Sequence, residues 1–374
     1  MKQILSKEER WNLNWSRTRA SAEGYFQIQR PIPTLRRNIT SKKPSSKCPR
    51  QLRTHSRLLK EHTTTCCVTS SKVNVSQPQR STPRSIYDVS NNNILGFGAN
   101  LSQDHPGFND LSYKARRAWI SELASAHKIG MPIPRIAYNQ EELQVWKTVL
   151  QELRDLLPQH ACKQYLQAAP LFNFTPNQIP QLQDVNEVLN RATGWSIRPA
   201  AGLLHPRDFL AGLAFKTFHS TQYIRHPSSP SYTPEPDLVH ELIGHVPLLA
   251  DAAFADMLQT LGEASLGVDD KQIWHLIKVY WYTVEFGVVR EGSCVKAFGA
   301  GILSSFGELQ HMSKGTAQFE TLDPFIAQPK MSYKDGFQNR YFVLETFEAG
   351  RDMLQDYAMK AKLPQELQGS STLA

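Results

Sequence analysis

Long apolar runs are missing from this 374-residue chain. No stretch of about 18 apolar residues occurs, which is what a helix needs to cross a bilayer, and mean hydropathy is −0.42. A membrane-spanning helix is therefore excluded. Cysteine is also scarce: Cys48, Cys66, Cys67, Cys162 and Cys294 are the only five. Scattered thiols in that number do not make a disulfide framework. None forms a C-x-x-C pair, so no cysteine zinc site is expected. Glycine-rich phosphate loops are absent too. Gly287 and Gly292 do not belong to a G-x-G-x-x-G, and there is no G-x-x-x-x-G-K, so dinucleotide and nucleotide-triphosphate loops are not expected. No repeat of 20–50 residues is visible.

Acidic residues are scarce in one region only. Residues 1–87 hold 18 basic and 4 acidic side chains, a net of +14, with 12 Ser and 9 Thr among them. The remainder carries 24 basic and 30 acidic residues, a net of −6. The chain's overall +8 thus belongs to its first quarter. A basic nucleic-acid face on the body is not expected. Residues 1–90 read as a disordered leader, because they lack the periodic apolar residues that could offset ordering entropy. Basic, hydroxyl-rich and poor in acid, the segment has the composition of an organelle transit peptide. No apolar core of a secretory signal follows its first basic residues. A tail without an address is the alternative. The opening stretch, with Glu8, Glu9, Trp11 and Trp15, is atypical for a transit peptide.

Order is expected from near Ile94, with residues 91–374 forming the main domain. Residues 113–128 place Tyr113, Ala115, Trp119, Ile120, Leu123 and Ala126 near one helical face, and Met131-Pro-Ile-Pro134 stops that helix. Residues 139–157, 181–191, 206–216, 252–264 and 270–290 carry further helical patterns. Tyr223–His226 looks like a short strand. The body is expected to be mainly α with a small sheet.

Chemistry concentrates in Thr233-Pro-Glu-Pro-Asp-Leu-Val-His-Glu-Leu-Ile-Gly-His-Val-Pro247. The zinc-protease helix H-E-x-x-H sets its histidines about 40° apart on one face. His240 and His245 are five apart, about 140° on an ideal helix. Convergence on one ion therefore requires a local distortion or a helix end, and Gly244 and Pro247 sit where either could occur. Glu285, alone within the apolar and aromatic run Trp281–Val289, is costly to bury without a partner. A metal ion is such a partner. Two histidines and a carboxylate on one face of an ion make the facial triad of non-haem Fe(II) oxygenases. Each of these residues taken singly is more commonly a core histidine or a solvated helix glutamate. A zinc hydrolase remains a rival on these residues alone.

Several blocks carry a resemblance: His105-Pro-Gly-Phe108, Tyr113-Lys-Ala-Arg-Arg117, Pro132-Ile-Pro-Arg135, Ile179-Pro-Gln-Leu182, Arg198–Leu204, Asp208–Phe218, Thr221–His226, Tyr232–Pro247, Tyr280–Gly287 and Lys296–Glu308. Through these the chain resembles the pterin-dependent aromatic amino acid hydroxylases, over roughly residues 100–350. Runs such as PEPDLVHELIGHVP and AFGAGILSSFGELQ are highly specific. The resemblance implies a helical basket with short β-strands around a mononuclear iron site. It implies a monooxygenase that uses Fe(II), O2 and a tetrahydropterin, with L-phenylalanine favoured as substrate. His240, His245 and Glu285 would hold the iron. Arg225 would grip the amino acid carboxylate, steadied by Asp237. Trp281 and Pro236 would sandwich the substrate ring with Phe286 behind, and Thr233, Gly301 and Ser304 would line its polar end. Phe209 would stack on the pterin, beside Gly202, Leu203 and Leu204. Glu241, His219 and Tyr280 would lie near that pocket.

The chain departs from the animal members of the family. Residues 1–93 do not look like their amino-acid-sensing domain, and no heptads follow the core, so a monomer or weak dimer is expected. The segments 170–180 and 332–338 look shortened. With the basic leader, these features resemble plant or algal plastid forms, in which a reduced folate could replace tetrahydrobiopterin. Plastid is the expected location, with mitochondrion or cytoplasm as alternatives. A catalytically impaired amino-acid sensor on the same fold is the competing reading from outside enzymology.

Overall fold

The structure, a computed structural model, describes residues 81–96, 101–231, 233–326, 328–331 and 336–361. The expected leader over residues 1–80, Tyr232, and the compact loop at 332–335 lie outside the described residues. Tertiary contacts begin ahead of Ile94. Arg198 donates to the Val89 carbonyl at 2.8 Å, and Asn91 donates to the Ala124 carbonyl at 3.1 Å.

Local chemistry starts and stops the helices. α1 (Leu111–Ala126) is capped by Asp110, whose carboxylate accepts from the Tyr113 amide. Its buried face is Arg117, Ile120, Ser121 and Ala124. This corrects the expected face: Trp119 is 41% exposed, lying under the Arg116 guanidinium at 4.9 Å. The large ring is covered by a long basic side chain at the surface instead of by the core. α2 (Gln140–Leu153) opens with a reciprocal capping box between Asn139 and Glu142 and buries Val145, Trp146, Val149 and Leu153. Short α3 (Leu157–His160) and α4 (Lys163–Ala168) follow. α5 (Leu182–Thr193) ends at Gly194, whose φ of 75° suits glycine. α6 (Pro206–Ala214) begins with proline in its first turn. α7 (Val246–Leu249), α8 (Ala252–Ala264), α9 (Asp270–Tyr280), α10 (Ala300–Leu303), α11 (Phe306–Ser313) and α12 (Phe347–Ala361) complete the frame.

α8 is the central helix, with α6 on one side and α12 on another. The α6 crossing is close. A Cβ at Gly262 would lie 2.2 Å from the Ala214 amide nitrogen, so only glycine fits there. Phe254, Phe298 and Phe347 meet edge-to-face beside it at 5.2–6.2 Å. One large cluster of buried apolar side chains runs from Trp146 and Trp195 through to Leu354.

Strands are few and short. β1 (Ile94–Gly96) pairs antiparallel with β3 (Leu203–Leu204), and β2 (Ser196–Pro199) pairs parallel with β4 (Thr217–Ser220). A four-stranded sheet has the order β6-β5-β8-β7, formed by β5 (Gly287–Glu291), β6 (Cys294–Ala297), β7 (Gln318–Thr321) and β8 (Arg340–Leu344). The fold is mainly α, as expected. Two local expectations change. The helical pattern over 270–290 stops at Glu285, because Gly287–Val289 are buried as strand between β6 and β8. Tyr223–His226 is not a strand. Its backbone is satisfied by the 237–238 turn instead, with the Leu238 amide donating to the Tyr223 carbonyl and the Arg225 amide to Asp237.

Among the described residues, no helix is long and apolar enough to cross a membrane.

Candidate active site

The five-residue histidine spacing is resolved by a wide turn. His240–His245 is a π-helical segment, in which i→i+5 hydrogen bonds, such as the Val246 amide to the Glu241 carbonyl, bring residues five apart onto one face. A second π-turn, Trp281–Glu285, ends α9 with the Phe286 amide donating to the Trp281 carbonyl at 2.9 Å. The two wide turns face each other. His240 Nε2 is 3.1 Å from His245 Nε2 and 3.3 Å from a Glu285 oxygen. His245 Nε2 is 3.2 Å from the other Glu285 oxygen. These three residues form a group whose ligand atoms could hold one metal ion. The donor set of two imidazole nitrogens and one carboxylate fits Fe(II) and leaves one side of the ion for other ligands.

Close backbone contact keeps the turns in register. A Cβ at Gly244 would lie 2.8 Å from the Ala300 carbonyl oxygen, so α10 can seat directly on the first π-turn. Ser304, the residue that ends α10, donates its hydroxyl to the Ala300 carbonyl at 2.7 Å and lies 2.9 Å from His240 Nδ1. With that hydrogen committed, the hydroxyl accepts from Nδ1–H. The ring's Nε2 is then left as the metal-facing lone pair.

Electrostatics reinforce the arrangement. Burial raises the Glu285 pKa, but the two adjacent imidazoles lower it more, leaving a net value well below the ordinary range. His245 is held below its usual pKa by burial. Burial also depresses His240, yet Glu285 and the neighbouring acids outweigh it and raise the net value. Glu241 is pushed up to about 8, chiefly by burial, with Glu285 and Asp237 adding to the effect. A neutral carboxyl can donate as well as accept a hydrogen bond. His219 is lowered to about 3 by burial and by Arg198, so its ring is neutral.

Of the residues expected to handle the amino acid, Arg225 and Asp237 are tied to the first π-turn, and Trp281, Phe286 and Gly301 pack together beside the second. Asp237 is fully buried. It takes both Nε and NH2 of Arg225 at 3.0 and 2.8 Å, and also the His240 amide at 3.0 Å. Burial raises its pKa, but the Arg225 guanidinium outweighs this and keeps it ionised. Trp281 and Phe286 pack with ring centroids 4.7 Å apart, and Gly301 lies against the Phe286 ring. Pro236 follows Glu235 on the 233–236 turn, and Thr233 has a buried hydroxyl with no protein partner. Phe209 meets Tyr280 edge-to-face at 5.1 Å. Leu204 and Gly202 are buried near it in sequence, while Leu203 is 36% exposed.

Two features went unread in the sequence. One is the contact of Ser304 with His240. The other is a buried ionic anchor, in which Arg117 and His105 both reach Glu235. That anchor fixes the 233–236 turn from behind. An acid placed between Pro234 and Pro236 was its only sequence signal.

A two-histidine, one-carboxylate centre on a mainly helical frame defines a mononuclear non-haem metal protein. The chain belongs to the biopterin-dependent aromatic amino acid hydroxylase family, whose model matches residues 81–370. It is 60% identical over 319 residues to the chloroplastic phenylalanine 4-monooxygenase of Chlamydomonas reinhardtii, covering 85% of this chain and 88% of that one. It is 62% identical over 277 residues to the corresponding Pinus taeda protein, covering 74% and 78%. Among solved structures, phenylalanine hydroxylase from Chromobacterium violaceum with bound iron(III) and 7,8-dihydrobiopterin superposes with a TM-score of 0.58 at 31% identity. That match covers 64% of this chain and 89% of the other.

Proposed function

We propose that this chain is an Fe(II)- and reduced-pterin-dependent monooxygenase that converts L-phenylalanine to L-tyrosine with O2. The observation that carries the reading is the convergence of His240, His245 and Glu285 within 3.1–3.3 Å in a chain 60% identical to a phenylalanine 4-monooxygenase. Iron held by these three residues would supply the redox chemistry that activates O2 beside the reduced pterin. Arg225, held flat by Asp237, offers its remaining N–H groups to the substrate carboxylate in a planar fork. Trp281, Pro236 and Phe286 give the aromatic ring an apolar slot that excludes water. Thr233 and Gly301 line the slot, while Ser304 acts through His240. Phe209 provides the stacking face for the pterin, with Gly202, Leu203 and Leu204 beside it. Glu241, His219 and Tyr280 complete that side with neutral, buried polar groups. Tetrahydrobiopterin or a reduced folate, which shares the ring, would serve as the pterin.

We further propose a plastid location for the chain, with the transit leader within residues 1–80, since Val89 and Ser90 are already bonded to the catalytic domain. A monomer or weak dimer is the assembly we propose. The test of the activity is an anaerobic load of Fe(II) onto the purified chain, followed by L-phenylalanine, O2 and either donor. Tyrosine formed in step with oxidised pterin is the expected result. An iron-loaded chain that binds phenylalanine but forms no tyrosine would favour the sensor reading.

A further inference from the structure

The segment Ser90–Gly96, which leads into the helical frame, is not a passive lead-in. Of three successive asparagines, Asn91 and Asn92 spend side-chain amides on the last turn of α1 and Asn93 spends its own on α6. Asn91 donates to the Ala124 carbonyl at 3.1 Å and accepts from Arg198 at 3.0 Å. Asn92 donates to the Ser125 carbonyl at 3.3 Å. Asn93 donates to Asp208 Oδ2 at 2.6 Å. The Ser90 amide reaches the other oxygen of the same carboxylate at 3.3 Å. The Asn93 carbonyl accepts from the His205 amide at 2.8 Å. Immediately afterwards β1 pairs with β3, Ile94 opposite Leu204 and Gly96 opposite Leu203.

Every one of these attachments past Asn92 lands on residues 203–208. That stretch joins Leu203 and Leu204 to Phe209, the residues to which the proposed function assigns the pterin. Asp208 is 6% exposed and sits in the first turn of α6, one residue before Phe209. Its carboxylate is favoured there by the helix dipole, but its two oxygens are oriented by donors from outside the helix.

We propose that residues 90–96 form a positioning strap for the pterin side of the site, with the Asn93–Asp208 contact as its fastening. The strap fixes the β3–α6 corner and thereby the angle at which the Phe209 ring is presented. This rests on the assignment of Phe209 to the pterin.

The full chain carrying Asn93→Asp, Asp208→Asn or both together tests the strap. Each is titrated with 7,8-dihydrobiopterin by tryptophan fluorescence and, separately, with L-phenylalanine by calorimetry. Asn93→Asp sets two carboxylates against each other and is expected to weaken dihydrobiopterin binding about tenfold, with phenylalanine binding unchanged. The double variant restores an amide opposite a carboxylate in reversed order and is expected to recover the affinity. Asn93→Ala removes the donor without adding charge and shifts binding in the same direction, by less. Wild-type affinity in Asn93→Asp overturns the proposal. So does equal weakening toward both ligands, or a double variant as weak as Asn93→Asp. A wild-type chain that binds no dihydrobiopterin would overturn the functional assignment itself, and the strap's role with it.

Discussion

At the scale of single residues, the site depends on which atoms are left free after neighbouring groups have taken their bonds. His240 keeps Nε2 for a metal because Ser304 occupies Nδ1. Glu285 stays ionised because two imidazoles face it. Glu285→Gln removes the charge and keeps the shape. It is expected to lower Fe(II) affinity at least about tenfold and to abolish turnover. Phenylalanine binding should be retained, and metal content by atomic absorption read beside calorimetry with phenylalanine checks the split. Arg225→Lys tests the carboxylate grip. A lysine cannot reproduce the two-bond fork on Asp237, nor present a flat face to a second carboxylate. KM for phenylalanine should rise about tenfold with kcat little changed, measured by steady-state tyrosine formation. Most of these positions were legible as residue types in the sequence. The Ser304 contact was not, because nothing in residues 300–305 announces a histidine 64 positions away.

Elements place those residues, and here local chemistry and tertiary demand part company. Helical apolar patterning marked α2, α5, α6 and α8 closely, with Pro206 opening α6, because the periodicity of a buried face is a local property of the chain. The first π-turn was foreseen only as a need, since a five-residue spacing could not converge on a regular helix, and the second, Trp281–Glu285, was not foreseen. Their form is fixed by contacts from outside, Ala300 seating against Gly244 and β5 pulling the chain out of helix after Glu285. Residues 287–291 show the limit of periodicity, since an apolar run reads equally as buried helix or buried strand until its neighbours are known.

Cap strength at this scale has a pH signature. Asp110, capping α1, is held down to about 2, first by the Tyr113 amide, then by the Ser112 hydroxyl and His226. Its folded pKa lies below the ordinary 3.8, so its contribution is complete above that value and is lost as pH falls toward about 2. Asp110→Ala should therefore lower the denaturation midpoint at neutral pH. The gap from wild type should close between about pH 4 and pH 2 in urea melts.

On the scale of the whole molecule, one mainly helical body surrounds the metal centre, and a basic, hydroxyl-rich segment precedes it. The proposal that this segment is an address has a direct check. Residues 1–80 fused to a fluorescent reporter should carry it into plastids of a photosynthetic cell. Diffuse cytoplasmic signal would overturn the address and leave the body's chemistry untouched. Composition alone, through the charge split and the missing apolar runs, settled that the chain has no membrane-spanning helix and that its basic character is confined to one end. Spacing and residue type pointed to His240, His245 and Glu285 as one ligand set, with Fe(II) and zinc both open on those residues alone, because ligand chemistry is a property of side chains. What only the tertiary structure decided is how they meet. Two wide turns, a glycine pressed on a carbonyl, a serine behind a histidine and asparagines fastened to the β3–α6 corner all join residues far apart in the chain. No local pattern encodes such contacts, since each arises from packing one element against another.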